Sequence, residues 1–146
     1  MPGLNDCYVL APERSGSLVL SMLDRFVPNR RPLYAPEDPS EVLGLALGAG
    51  IETILTHLEA NSSQSYSMYF HNEGVSGPDY AGAMFNKDGS LVLMLSVEEN
   101  GGAGAAERAL QELKTFSGSK LGYWSWEEAP ATTTHEFAES MRNKNQ

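Results

Sequence analysis

Residues 91–97, Leu-Val-Leu-Met-Leu-Ser-Val, constrain the fold more than any other stretch of the chain. In an extended chain successive side chains point to opposite faces. Leu91, Leu93, Leu95 and Val97 then face one way, and Val92 and Met94 face the other. A strand apolar on both faces belongs in the middle of a sheet. Asn86-Lys87-Asp88-Gly89 stands before it, a hairpin-turn signature that joins it to a strand over 79–85. Tyr66, Met68 and Phe70 alternate with Ser65, Ser67 and Tyr69, which adds a third strand. Cys7–Leu10 and Leu121–Glu127 read as an opening and a closing strand.

Helices fill the gaps. Ser15 or Ser17 caps one that carries Leu18, Met22 and Phe26 on a single stripe, and Pro28 ends it. Residues 28–39 hold Pro28, Pro32, Pro36 and Pro39, which predicts an extended connector. Arg25, Arg30 and Arg31 at its start read as a local counterweight to an acidic surface. Asp38, Pro39 and Glu41 form a capping box. Leu43, Leu47, Ile51, Ile54, Leu55 and Leu58 then predict one helix, or two abutting ones, over 39–60, with a strand at 42–47 as the alternative. Ala105–Phe116 is amphipathic, and Gly118 stops it. From Pro130 the chain turns polar, and residues 131–146 are expected to fray, with one helical turn around Phe137. The expected architecture is a single α+β domain over 1–130, in the order β-α-α-β-β-β-α-β. An antiparallel sheet of four to five strands carries helices mainly on one face.

Composition narrows the function. The chain has 146 residues, 19 acidic and 10 basic, for a formal charge of −9. Such a surface repels phosphate backbones and argues against nucleic-acid binding. Cys7 is the only cysteine, so no internal disulfide forms. Residues 1–6 lack a basic and then apolar leader, and Val42–Ile51 is about half a membrane span, so a cytoplasmic protein without a membrane partner is expected.

Catalytic and cofactor motifs are weak. Gly48-Ala49-Gly50 and Gly101-Gly102-Ala103-Gly104 resemble phosphate loops, but Thr53 and Glu107 occupy the third-glycine positions. Glu98 and Glu99 precede the second loop and repel a pyrophosphate. His57, His71 and His135 are each isolated from other ligands, so no metal site and no cofactor is expected. Ser117-Gly118-Ser119-Lys120 matches Ser-x-x-Lys where a helix ends rather than begins. Cys7 reads as a small buried hydrophobe. Should the chain be an enzyme or small-ligand domain after all, His71, Glu73 and Asp79 are the first suspects.

A surface remains. Tyr123-Trp124-Ser125-Trp126-Glu127-Glu128 alternates so that Trp124, Trp126 and Glu128 share one face and Tyr123, Ser125 and Glu127 the other. Both tryptophans of the chain then form an aromatic patch ringed by acid, with Glu98 and Glu99 at one end of the sheet. Aromatic anchors of this kind carry protein–protein binding energy, although the same two residues also suit a core under a helix. The expected function is that of a small acidic protein which grips another protein with a basic surface. A bacterial immunity-type inhibitor that neutralises a toxin by direct binding has these properties, and a dimeric secretion-type chaperone is the alternative. Monomer and homodimer are both compatible with the sequence.

Overall fold

The computed structural model describes residues 4–33, 43–45, 50–98, 104–126 and 130–144. Its centre is one six-stranded antiparallel sheet that does not close into a barrel. The strands are β1 (Leu4–Leu10), β2 (Arg30–Leu33), β3 (Tyr66–Asn72), β4 (Tyr80–Phe85), β5 (Leu91–Glu98) and β6 (Gly122–Trp126). Their order across the sheet is β2-β3-β4-β5-β1-β6. The doubly apolar strand β5 lies between β4 and β1, and Leu91–Ser96 are all buried.

Two expectations about the sheet are corrected. It has six strands rather than four or five, because part of the proline-rich connector is itself a strand. Pro32 is admitted there because β2 is an edge. Asn29 O accepts from Glu73 N, which puts the ladder bonds at every second residue and turns the Pro32 nitrogen outward, where no partner needs a donor. The observed order is therefore β-α-β-α-β-β-β-α-β-α among the described residues.

The helices are α1 (Gly16–Phe26), α2 (Ile51–Ala60), α3 (Ala105–Ser117) and α4 (Thr134–Lys144). Helix α1 starts as the sequence suggests, with Ser15 Oγ accepting from Leu18 N. Its first residue also sets a close helix contact. A β-carbon added at Gly16 meets Leu55 Cβ of α2 at 2.9 Å, too near for any larger residue. Helix α3 ends at Gly118, whose φ of 75° is the left-handed conformation that glycine adopts without penalty.

The helix expected over 39–60 is shorter. It begins only at Ile51, after Gly50 in extended conformation, and Leu43–Leu45 is neither helix nor strand. Gly44 has φ 72°, which no regular helix or strand contains. The capping-box residues Asp38, Pro39 and Glu41 lie outside the described residues. The tail differs too. Instead of one turn near Phe137, α4 runs for 11 residues.

Two cores result, one on each face. Helices α1, α2 and α3 cover a face built from Cys7, Val9, Phe70, Ala81, Leu93 and Leu95, among others. Helix α4 covers part of the opposite face, where Phe137 packs with Tyr8, Met84, Val92, Met94 and Tyr123. The expectation of helices mainly on one face thus holds for three of the four described helices. Burial of the whole Phe137 side chain contributes about 1.5–3 kcal/mol, enough to hold an otherwise polar helix. Among the described residues, no helix is long and apolar enough to cross a membrane.

Candidate functional site

Strand β6 forms because its residues alternate between two covered surfaces. Tyr123 and Ser125 face α4, and Trp124 lies in register with Cys7 on the face that α3 covers. Gly122 is required for close approach: a β-carbon there meets Tyr8 O at 2.8 Å and Leu110 Cδ1 at 3.0 Å. As the last strand of the sheet, β6 has β1 on one side and no paired strand on the other among the described residues. The exposed large hydrophobic side chains among the described residues are Val75, Leu121 and Trp124. Two of the three belong to this edge. Trp124 is 38% exposed and Leu121, one residue before the strand, is 48% exposed.

The residues singled out by sequence do not all gather here. Trp124 lies at the edge, neither sealed in the core nor free of it. Tyr123 does not reach the surface. It is 3% exposed, with its ring 5.4 Å from Tyr8 and 5.0 Å from Phe137. Glu98 is exposed at the end of β5, but it is in register with Leu4 and two residues from Ser96, so it stands on the face opposite Trp124, with β1 between β5 and β6. Trp126 closes β6 opposite Asn5. Glu99, Glu127 and Glu128 lie outside the described residues.

A second grouping was not visible in the sequence. Register places Arg31, His71, Tyr80, Ser96, Asp6 and Ser125 side by side, one from each strand, on the face that α4 only partly covers. Ser96 Oγ donates to Asp6 Oδ1, and Tyr8 Oη donates to Asp6 Oδ2 at 3.4 Å. Burial, reinforced by the Asp6 charge, pushes the Tyr8 phenol above its ordinary range. Ser125 Oγ is buried without a hydrogen-bond partner among the described residues. The signal for this row lies only in strand pairing, since its members come from six separate segments.

Of the suspects for an enzymatic site, His71 and Glu73 do meet. His71 Nδ1 is 3.5 Å from Glu73 Oε2, a distance that suits an ion pair with a protonated ring but not an aligned hydrogen bond. Glu73 spends its other oxygen on Arg31 Nε at 2.7 Å, and this bond holds its carboxyl below the usual range. Asp79 joins neither pair, but its backbone bridges Asn72 and Ser96. A carboxylate already bonded to a guanidinium is a poor general base. Among the described residues, no three His, Cys, Asp or Glu side chains converge in a way that suits a metal ion.

The other candidates resolve into structure. Cys7 is buried, with its sulfur 3.2 Å from Ala106 O, and burial together with the Asp6 charge pushes its thiol up to about 12. His57 Nε2 lies 2.6 Å from Gln64 Oε1, and the ring fastens the turn after α2. Arg30 pairs with Asp24 at 2.9 Å, and Arg25 stacks on Phe26, so the basic cluster is locally engaged. Ser117 and Ser119 cap the end of α3 through backbone bonds. No family model, no curated protein and no solved structure matches this chain.

Proposed function

We propose that this chain is a protein-binding protein of the inhibitor type, working in the cytoplasm, which holds a basic partner at the β6 edge. An immunity-type role, in which the acidic domain covers a toxin and neutralises it, is the form of this reading that we favour. The observation that carries it is Trp124, an indole left more than one-third exposed on an edge strand in a chain of formal charge −9. A large aromatic ring at a rigid edge is the kind of anchor that dominates binding energy, and the net negative charge steers a basic partner toward it. In the sequence Glu127 and Glu128 follow the strand directly.

The test is a titration of the purified product of the neighbouring gene against three variants. Trp124→Ala is expected to weaken binding by about tenfold or more, the effect of losing an aromatic hot spot. Glu128→Lys weakens it through charge reversal. Phe137→Ala serves as the folding control, with an expected stability loss of about 3–5 kcal/mol for a buried phenylalanine. Trp124→Ala stays within about 1–2 kcal/mol of the parent, because much of its ring is already in water. Unchanged affinity of Trp124→Ala for a partner that the parent binds removes the edge from the reading.

A further inference from the structure

Granted that the chain binds a protein partner, we infer that it does so by strand addition: an extended, basic segment of the partner pairs with the outer edge of β6 and continues the sheet. The hydrogen-bond phase of the sheet supports this. Leu10 N donates to Leu121 O at 2.9 Å, so Leu10 and Leu121 are a hydrogen-bonded pair of the β1–β6 ladder. Such pairs recur at every second residue. Tyr8 with Tyr123 and Asp6 with Ser125 are therefore the next ones, in the observed register. The other side of β1 agrees, since Ala11 N donates to Leu91 O and the odd-numbered residues of β1 face β5. Gly122, Trp124 and Trp126 accordingly turn their backbone N–H and C=O groups outward, and they make no backbone hydrogen bond among the described residues.

The two edges of the sheet are not alike. At β2 the same phase places Pro32 at an outward position, which removes the donor, and Arg30 and Arg31 precede it. Proline and charge at an edge block further pairing. Strand β6 has neither device: its sequence is Gly-Tyr-Trp-Ser-Trp, without proline, lysine or arginine. Helices α3 and α4 press on its two faces, and of the outward positions Trp124 is the exposed one while Gly122 is buried. In this mode main-chain bonds supply affinity, and side chains beside the rim, here Trp124, supply selectivity. Charge decides the occupant. A second copy brings another formal −9, whereas a lysine- or arginine-bearing strand meets a chain of opposite net charge.

The experiment uses the full chain and the purified product of the neighbouring gene. Amide hydrogen exchange in the free protein is expected to be faster at Gly122, Trp124 and Trp126, which have no ladder partner, than at the ladder-bonded Tyr123 and Ser125. In the complex the first three slow by about tenfold or more, as newly paired ladder amides do. Trp124→Val and Trp124→Pro both lose the indole, but only Trp124→Pro loses the outward donor, and an edge strand tolerates proline there. Trp124→Pro is expected to bind about tenfold more weakly than Trp124→Val, with both melting alike. Equal affinities, or binding without protection of the three amides, overturn strand addition while leaving the functional reading intact. No binding by the parent overturns both. A dimer in the free protein with those three amides already protected assigns the edge to a second copy and overturns the basic partner.

Discussion

Arg14 lies in a turn between β1 and α1, yet its guanidinium reaches four backbone carbonyls. Nε donates to Leu58 O at 2.7 Å, Nη1 to Asn86 O at 2.9 Å, and Nη2 to Asn61 O at 3.1 Å and Gln64 O at 2.6 Å. Its guanidinium carbon lies over the Phe85 ring, 5.1 Å from the centroid. Leu58 and Asn61 belong to the end of α2, where carbonyls lack helical partners. One side chain thus closes a helix and ties it to the β4–β5 hairpin. Arg14→Ala is expected to destabilise the fold by about 2–4 kcal/mol, since it strips several charge-assisted bonds at once. Arg14→Lys recovers less than half, because an ammonium cannot reproduce the planar fork. Urea unfolding of the three proteins measures this, and a loss below about 0.5 kcal/mol for Arg14→Ala contradicts the clamp. No local pattern marks Arg14, whose partners lie 44–72 residues away. Trp124 was legible as a distinctive residue, but its half-exposed state depends on β6 being last in the sheet.

Helix α4 shows how an element can be invisible to periodicity and still form. Its mean hydropathy is low, and among its residues of described burial only Phe137 is deeply buried. Its N-terminus is held from outside by the hairpin turn, where Asp88 Oδ2 accepts from Thr134 N at 2.7 Å, while Thr133 Oγ1 accepts from Glu136 N. Slight burial pushes the Asp88 carboxyl up, but hydrogen bonds from Ser90 and Thr134 outweigh this and hold it at about 2, below its ordinary 3.8. A depressed carboxyl contributes stability above its unfolded value and loses it as pH falls through the folded one. The Asp88 contribution is therefore complete above about pH 4 and gone below about pH 2. Asp88→Asn is expected to cost about 1 kcal/mol or less at pH 7, as an exposed cap does. It also flattens the melting curve between about pH 4 and about pH 2. An unchanged pH profile in the variant refutes the cap. The shortened α2 has the opposite lesson: apolar spacing ran on through residues 43–58, but glycines at 44, 48 and 50 undercut it, and the described Gly44 has a conformation no helix keeps.

At the scale of the whole molecule, charge and sheet order act together. If an acidic domain captures a basic strand, the attraction is screened within about 10 Å at 0.1 M salt. Affinity for the neighbouring gene's product is expected to fall by about tenfold or more between about 0.05 and about 0.5 M salt, mostly through slower association. Salt-independent affinity, measured with the rates at both salts, speaks against charge complementarity as the selector. Among the described residues, Glu98 does not join an acidic ring around the aromatic patch. Glu98 emerges from the other face, because side-chain direction within a strand says nothing about which strand stands next to it.

Local chemistry alone settled which segments are extended, where α1 and α3 start or stop, and that β5 is central, because turn residues, caps and alternation act between near neighbours. Which strands are edges, which rim is blunted by proline, and which six polar side chains align across the sheet were settled only when distant segments paired. Register is a property of two strands at once, and a one-residue slip in either reverses the face and the outward amides of the whole strand.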